Sequence, residues 1–405
     1  MSNRSKELNL KQDSICVSEN REIENGASHV LPINASSAFS FKDIESSIDV
    51  FEGRSDGFVY SRYANPTIDS VERKLAALES AGTDTDVHCI LTGSGMSAIA
   101  TLLLSLLNPG DALFCQQNLY GGSSDLIRHV LGSKDIEIIY GSLSEPETLN
   151  TMATRNPNIK LIYFESPSNP CLDCVDIQGI CDAAKKLDIK TVLDNTFSTS
   201  YIQQALPLGV DYVVYSTTKF LNGHGNGLAG AIICRTREER KSVWNYMKLL
   251  GTNASPFEAW LLHNGLKTLA VRLERHCHNA LRLAEYLEAH EEVVKVNYPG
   301  LESSKYKAIA DKQMQQLYGA VLSFELKGGL ERAKAFMNAC KLCTIASTLG
   351  NVDTLLLHPA TSSHLNIDKD IREEQGITDG LIRISVGIEN IDDIIRDVSN
   401  AIDKS

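Results

Sequence analysis

Lys219 follows a run of hydroxyl side chains at the end of a segment that reads as a buried strand. Ser216, Thr217 and Thr218 come directly before it, after the largely apolar residues 210–215. Ligands of open α/β sheets usually bind where strands end. A lysine amine in such a place can form a Schiff base with a carbonyl compound, although it can also be a solvated cation and nothing more.

Asp194 stands at a second strand end, after the mostly apolar stretch "KTVL". A carboxylate there is unfavourable unless a cation or a proton donor meets it, and a protonated ring nitrogen would do so. If both strand ends open on one edge of a sheet, a carboxylate, hydroxyl groups and an amine converge. Pyridoxal phosphate requires that set of groups.

Gly93 and Gly95 lie in "TGSGMSAIA", between an apolar strand and a helix whose first backbone N–H groups are unpaired. A phosphate fits such a turn, although small residues there can also serve only tight packing. By contrast, Gly225, Gly227 and Gly230 match the dinucleotide pattern GxGxxG, but a strand-like segment overlaps its end where a helix is required. We therefore do not interpret them as a nucleotide site.

The composition excludes several classes of function. Acidic residues outnumber basic ones by 51 to 39, which argues against a nucleic-acid partner. The polar first residues do not resemble a secretory signal, and the longest apolar run, 98–107, is too short to span a membrane. We therefore expect a cytoplasmic protein with no membrane partner.

The ten cysteines are spread over the chain, which favours reduced thiols over a disulfide framework. Two CxxC pairs, Cys171/Cys174 and Cys340/Cys343, could in principle supply four zinc ligands. Neither pair has the flanking pattern of such a site, so we expect no metal.

The pattern of elements indicates two folded domains. Residues 1 to about 25 read as a flexible arm, a helix is predicted over 66–82, and strands alternate with helices from about 87 to 234. This alternation is typical of a mainly parallel sheet covered by helices. Beyond about 255, long amphipathic helices and a few strands indicate a smaller α+β domain.

Nine motifs in order carry a family resemblance. They are "YSRYANPT", "SGMSAI", "NLYGG", "ESPSNP", "LDNTF", "STTKFLNGHG", "SPFEAW", "HPATSSH" and "LIRISVGIE". Together they resemble the Cys/Met-metabolism (trans-sulfuration) family of pyridoxal-phosphate enzymes. The resemblance implies an α/β, aspartate-aminotransferase-like fold, and a homodimer as the minimum unit with a homotetramer as the usual assembly. It also implies an arm over 1–62 that serves the neighbouring subunit, a cofactor-binding domain over 63–255 and a C-terminal domain over 256–405.

The resemblance also implies a role for individual residues. Lys219 would bind the cofactor covalently, Asp194 would hold the pyridine nitrogen, and Asn169 would contact the ring hydroxyl. The phosphate would be held by Gly95, Met96, Ser216 and Thr218, and by Tyr60 and Arg62 of the neighbouring subunit. Tyr120 would stack on the ring and act as an acid, and Ser347 and Arg383 would bind the α-carboxylate of an amino-acid substrate.

Departures from the family pattern bear on the reaction. Cystathionine γ-lyases usually have an acid, an arginine and a glutamate where this chain has Val59, Asp125 and Ala346. Methionine γ-lyases commonly have a cysteine where this chain has Gly122. We expect a methionine γ-lyase-like C–S lyase, with O-acetyl- or O-succinylhomoserine sulfhydrylase as the alternative and cystathionine γ-lyase or γ-synthase after that.

Overall fold

The computed structural model describes residues 8–19, 25–145, 148–365 and 367–405. The helices are Gln12–Ser18 (α1), Ile44–Phe51 (α2), Pro66–Ser80 (α3), Gly95–Leu106 (α4), Gly121–Asp125 (α5), Thr148–Arg155 (α6), Ile177–Lys186 (α7), Thr199–Ile202 (α8), Arg237–Leu250 (α9), Pro256–Leu266 (α10), Leu269–Glu288 (α11), Lys307–Gln313 (α12), Gly329–Ala339 (α13), Lys369–Glu374 (α14) and Ile391–Lys404 (α15). The strands are His88–Thr92 (β1), Ala112–Gln116 (β2), Glu137–Gly141 (β3), Ile159–Glu165 (β4), Lys190–Asp194 (β5), Tyr212–Ser216 (β6), Gly230–Cys234 (β7), Val293–Asn297 (β8), Val321–Leu326 (β9), Thr344–Ile345 (β10), Leu355–Leu357 (β11) and Leu381–Ser385 (β12). A π-helical turn over Leu126–Leu131 and short 3-10 turns over Gly132–Lys134 and Pro359–Thr361 complete the set.

The described chain divides into two compact units that interleave along the sequence. The first, unit 1, runs up to Leu106 and includes Val214–Thr218 and Asn226–Thr268. The second, unit 2, comprises Leu107–Val213, Lys219–Gly225 and Leu269–Ser405. The domain boundaries that we place at residues 62 and 255 stay predictions.

Unit 1 is organised around the antiparallel pair of β1 and β7, in which Ile90 lies opposite Ile232. Both residues are fully buried. Helices α3, α4 and α9 pack against these strands, and α10 packs against α3. Apolar residues fill the interior of this unit, which explains why its strands read as continuous hydrophobic runs.

Unit 2 contains a parallel arrangement of strands in the order β3, β2, β4, β5. Its second sheet has the order β10, β11, β12, β9, β8 and is antiparallel except for the pair β10/β11. Helices α11, α13 and α15 contribute to one apolar core with this second sheet. The mainly parallel sheet and the α+β part confirm the predicted α/β fold class.

The N-terminal helix α1 corrects one prediction. We expected a flexible arm up to about residue 25, but Ile15 and Cys16 of α1 are buried. The Lys74 Nζ atom donates to the Cys16 carbonyl oxygen at 2.9 Å, and the Gln12 side chain donates to the Leu78 carbonyl oxygen at 3.2 Å. The arm prediction is therefore wrong for 12–18, because these residues pack on α3. Residues 1–7 and 20–24 lie outside the described residues.

The cysteines and the apolar helices were also the subject of predictions from the sequence. All ten cysteines are free thiols, and all except Cys340 are buried. No helix in the described part of the chain is long and apolar enough to cross a membrane.

Candidate active site

Two carboxyl groups end neighbouring strands of unit 2. Glu165 and Asp194 are register partners in the parallel pair β4/β5, so their side chains leave the same face of the sheet at the same edge. The Asp194 Oδ1 atom accepts from the Thr196 backbone N–H at 3.0 Å and from its hydroxyl at 2.5 Å, and Oδ2 accepts from the Tyr163 hydroxyl at 3.4 Å. Burial raises the pKa of Asp194 and that of Glu165, and the Asp194 charge raises the pKa of Glu165 further.

The amine of Lys219 lies at a hydroxyl group. Its Nζ atom donates to Thr348 Oγ1 at 2.8 Å. Burial lowers the pKa of Lys219 to about 8, and the positive charge of Arg383 acts in the same direction. At neutral pH this lysine is therefore much closer to its nucleophilic, uncharged form than a solvated lysine is.

Arg383, on β12, presents a partly used guanidinium group. Its two Nη atoms donate to the Asn169 side-chain oxygen at 3.0 Å and to the Thr348 carbonyl oxygen at 2.9 Å. Its buried Nε atom has no acceptor among the residues that the structure describes. Burial lowers the pKa of Arg383 to about 10, whereas Tyr120 raises it. A buried cation with a spare donor is suited to an incoming carboxylate.

Tyr120 is the N-cap residue directly before the short helix α5, and its backbone is hydrogen-bonded to the strand edge. Its backbone N–H donates to Glu165 Oε1 at 2.7 Å, while its side chain is 45% exposed. The next residue, Gly121, approaches a second segment so closely that a Cβ atom there would lie 2.8 Å from the Ser363 carbonyl oxygen. The exposed ring thus projects from a backbone that is held on both sides.

Two glycines of unit 1, at the start of α4 and at the start of β7, are approached closely by other residues. A Cβ atom at Gly95 would lie 2.8 Å from the Cβ atom of Ser216, and a Cβ atom at Gly230 would lie 2.2 Å from the Ser94 carbonyl oxygen. The Thr218 hydroxyl exchanges hydrogen bonds with the backbone of residue 229. The first N–H groups of α4, which include that of Met96, have no partner within the helix and attract an anion.

Tyr60 and Arg62 also belong to unit 1. Tyr60 is 43% exposed. The Arg62 guanidinium lies 5.0 Å from the centre of the Tyr63 ring and donates to the Lys248 carbonyl oxygen. Their assignment to a neighbouring subunit's phosphate stays a prediction.

The structure brings Lys219, Asn169 and Arg383 together through their contacts with one another and with Thr348. Ser347 is exposed, whereas the next residue, Thr348, supplies both the hydroxyl for Lys219 and the carbonyl oxygen for Arg383. Sequence reasoning missed Thr348 and Glu165. The signal for Thr348 was the pair of hydroxyl residues in "STLG", and that for Glu165 was an acid at a strand end, as at Asp194.

A partly buried lysine with a lowered pKa, a partly buried carboxyl group at a strand end and a buried arginine with a spare donor, within this α/β fold, are the groups of a pyridoxal-phosphate-dependent enzyme. The family model for Cys/Met metabolism PLP-dependent enzymes matches residues 13–403. The chain belongs to this family, and its cofactor is pyridoxal phosphate.

Curated relatives carry more than one activity. The chain is 40% identical to an L-methionine gamma-lyase of Fusobacterium nucleatum subsp. nucleatum, over 92% of this chain and 93% of that protein. It is 37% identical to an O-succinylhomoserine sulfhydrylase of Pseudomonas aeruginosa, over 90% of this chain and 89% of that protein.

Solved structures share the fold. A cystathionine gamma synthase from Xanthomonas oryzae pv. oryzae, in complex with aminoacrylate and cysteine, has a TM-score of 0.90 and 34% identity, over 98% of each chain. A chain from Campylobacter jejuni that holds N′-pyridoxyl-lysine-5′-monophosphate has a TM-score of 0.91 and 30% identity, over 97% of this chain and 100% of that chain. These neighbours confirm the aspartate-aminotransferase-like fold predicted from the motifs.

Proposed function

We propose that the protein is a carbon–sulfur lyase that removes the γ-substituent of methionine-like amino acids, giving a thiol, 2-oxobutanoate and ammonia. The 40% identity to an L-methionine gamma-lyase supports the reaction, and the shared partner Thr348 supports the arrangement of the groups that would perform it. Its hydroxyl accepts from the Lys219 amine, and its carbonyl oxygen accepts from Arg383. An α-amino acid whose carboxylate binds the spare Arg383 donor would then present its Cα–H bond towards the amine.

The residues present fit the cofactor. The start of α4 offers unpaired N–H groups to a phosphate beside Ser216, and the buried Asp194 carboxyl group suits a protonated ring nitrogen. The groups that we propose to hold pyridoxal phosphate are Gly95, Met96, Tyr120, Asn169, Asp194, Ser216, Thr218 and Lys219, with Tyr60 and Arg62 from a second copy of the chain. The bound cofactor supplies an electron sink for the negative charge that develops at Cα.

Side chains of the protein bind the substrate and transfer the protons. Arg383 binds and orients the α-carboxylate through its planar fork. Lys219, with a pKa of about 8, takes the proton from Cα and moves a proton at Cβ. The Tyr120 hydroxyl donates a proton to the departing γ-sulfur. Ser347, which we predicted as a carboxylate ligand, lies exposed one residue away from Thr348.

Two departures from the cystathionine γ-lyase pattern, at Asp125 and Ala346, support a preference for a small γ-substituent. Asp125, the last residue of α5, stands where cystathionine γ-lyases usually have an arginine, so this chain lacks that cationic partner for the second carboxylate of cystathionine. Ala346 offers no hydrogen bond to the second amino group. A methyl-sulfur group needs neither partner.

The sulfhydrylase alternative is favoured by one finding, the 37% identity to an O-succinylhomoserine sulfhydrylase. In that reaction the sulfur of sulfide or a thiol would replace the acyl group at Cγ, with acetate or succinate as the leaving group, and the amino acid would be retained instead of being released as a 2-oxo acid and ammonia. The deciding experiment gives the purified holoenzyme L-methionine, L-cystathionine, O-acetylhomoserine and O-succinylhomoserine together, with and without sulfide, and identifies products by mass spectrometry. We expect methanethiol and 2-oxobutanoate to dominate. Homocysteine formed only with sulfide, with methionine untouched, would replace the lyase proposal by the sulfhydrylase.

We further propose a homodimer as the minimum catalytic unit and a homotetramer as the assembly, in the cytoplasm. Unit 1 exposes large apolar side chains on α2 and α9, namely Ile44, Ile48, Phe51, Leu249 and Leu250. Ile44, Ile48 and Phe51 share one face of α2 by their spacing, and a contiguous exposed apolar face marks a protein interface. They lie in the same unit as Tyr60 and Arg62.

Subunit mixing tests this assembly. Lys219→Ala and Arg62→Ala each damage a different half of a shared site, so unfolding and refolding the two variants together should form hybrids with one intact site in two. We expect about a quarter of the parental activity, because half of the dimers are hybrids. Each variant refolded alone is the control, and a mixture no more active than the controls would place both residues in one subunit's site.

A further inference from the structure

Glu165 makes a contact that the proposed chemistry does not use. It is 5% exposed, and its Oε1 atom accepts from the Tyr120 backbone N–H at 2.7 Å. Its own backbone N–H donates to the Gln116 side-chain oxygen at 2.9 Å, and its backbone is in register with Asp194 on the next strand. The backbone of Glu165 is therefore fixed between two neighbouring strands of the sheet, and its carboxyl group accepts from the residue that bears the exposed ring.

We propose that Glu165 is a positioning residue: its carboxyl oxygen holds the Tyr120 backbone and thereby sets the Tyr120 ring over the cofactor. This inference rests on the proposed roles of Tyr120 as the stacking residue and acid. In this inference Glu165 acts through the Tyr120 backbone and is assigned no contact with the substrate or the cofactor; its carboxyl group also accepts from the Asn169 backbone N–H.

The residue after Tyr120 also has little space around it. A Cβ atom at Gly121 would lie 2.8 Å from the Ser363 carbonyl oxygen, so a larger residue does not fit there without a shift of the backbone. The hydrogen bond from the Tyr120 N–H to Glu165 therefore fixes the backbone directly beside a position where only glycine fits.

The charge state of Glu165 follows from its surroundings. Asp194 lies beside it, and burial raises the pKa of both carboxyl groups. Two adjacent buried carboxyl groups do not both ionise readily, and Asp194 is the one that needs its charge for a protonated ring nitrogen. Glu165 accordingly serves as a neutral acid whose carbonyl-type oxygen accepts the hydrogen bond.

If the Glu165 side chain accepts the hydrogen bond in its neutral form, a variant that keeps a neutral acceptor should behave differently from a variant that removes the acceptor. Glu165→Gln keeps an oxygen acceptor of the same shape and no charge, whereas Glu165→Ala removes the acceptor. The experiment records the visible circular dichroism of the bound cofactor without substrate, which reports the asymmetric ring environment, and then kcat and KM. We expect Glu165→Gln to stay within about twofold of the parent in each readout. Glu165→Ala should lose at least half of the visible signal and about tenfold in kcat, with KM nearly unchanged.

The matched control is Glu72→Gln in unit 1. Glu72 is also buried and also accepts a backbone N–H, from Leu91 at 2.8 Å, but it is paired with Arg240. We expect this variant to lower the denaturation midpoint and to leave the visible signal of the bound cofactor unchanged.

Three results would overturn the inference. They are an unchanged visible signal in Glu165→Ala, a Glu165→Gln variant as impaired as Glu165→Ala, and a Glu72→Gln variant that loses the same signal. If Glu165→Ala does not fold, Glu165→Asp, which withdraws the carboxyl group by one methylene, takes its place with the same criteria. The spectra need no substrate, so they stand even if the reaction is sulfhydrylation.

Discussion

Each unit contains a lysine with restricted exposure to solvent, and the two lysines differ in the group to which the amine donates. Lys74 in unit 1 is fully buried, and its amine donates to the backbone carbonyl oxygen of Cys16. Lys219 in unit 2 donates to the hydroxyl of Thr348. The partner of Lys74 is a backbone carbonyl oxygen of α1, which cannot move away unless the helix is displaced. The Lys219 amine, by contrast, can exchange the Thr348 hydroxyl for another partner. Burial alone therefore does not identify a catalytic lysine.

The sharpest test of this comparison is Lys219→Ala. We expect turnover to fall about a thousandfold or more, because the group that moves the proton at Cα is removed, while the denaturation midpoint of the cofactor-free protein stays near the parental value. Initial rates and thermal melts measure both effects. Normal turnover in this variant would remove Lys219 from the catalytic assignment.

The reciprocal change, Lys74→Ala, should act on stability. It leaves the buried Cys16 carbonyl oxygen without this donor, which costs on the order of 1–3 kcal/mol. Turnover per folded molecule should be unchanged. Denaturant midpoints of the cofactor-free protein measure the change, with Lys74→Arg as the control that keeps a cationic donor. A stable Lys74→Ala variant with impaired turnover would break the distinction between the two lysines.

The lowered pKa of Lys219 predicts a pH dependence. The uncharged amine is the form that captures the cofactor, so capture by the cofactor-free protein should rise with pH and reach half of its maximum near pH 8. At pH 7 about a tenth of the amine is uncharged, far more than in a solvated lysine. Stopped-flow absorbance at a series of pH values gives the midpoint. A midpoint near 10.5, the ordinary lysine value, would contradict the effect of burial.

The smallest expected effect is that of Thr348→Val. The hydroxyl accepts from the charged amine and so favours the charged form. Removing it should lower the capture midpoint by up to about one pH unit and reduce turnover by about tenfold or less. The comparison is Ser347→Ala, which alters the exposed neighbour and should leave the capture midpoint unchanged, whereas a rise in KM would support its predicted role as a carboxylate ligand. A larger shift of the capture midpoint in Ser347→Ala than in Thr348→Val would contradict the assigned role of Thr348.

The sequence allowed much of the sheet and part of the site to be predicted. Asp194 and Lys219 were found because a polar group directly follows an apolar strand, which is a local signal. The predicted helix over 66–82 is confirmed as Pro66–Ser80. These features depend on residues that are close in sequence, so periodicity reveals them.

The missed features depend on distant contacts. Thr348 meets Lys219 across 129 residues of sequence, and Glu165 meets Tyr120 across 45. Helix α1 has seven residues, too few for its periodicity to stand out and too few for a stable helix by itself. It exists because α3 offers donors and an apolar surface, which no local pattern reports.

That dependence of α1 on α3 has a consequence for synthesis on the ribosome. The Cys16 carbonyl precedes its Lys74 partner by 58 residues, so at about 5–20 residues per second the α1 segment waits several seconds for a surface to fold against. During that interval its apolar side chains are available to chaperones. Helix α1 can therefore pack into the structure only after α3 has been synthesised.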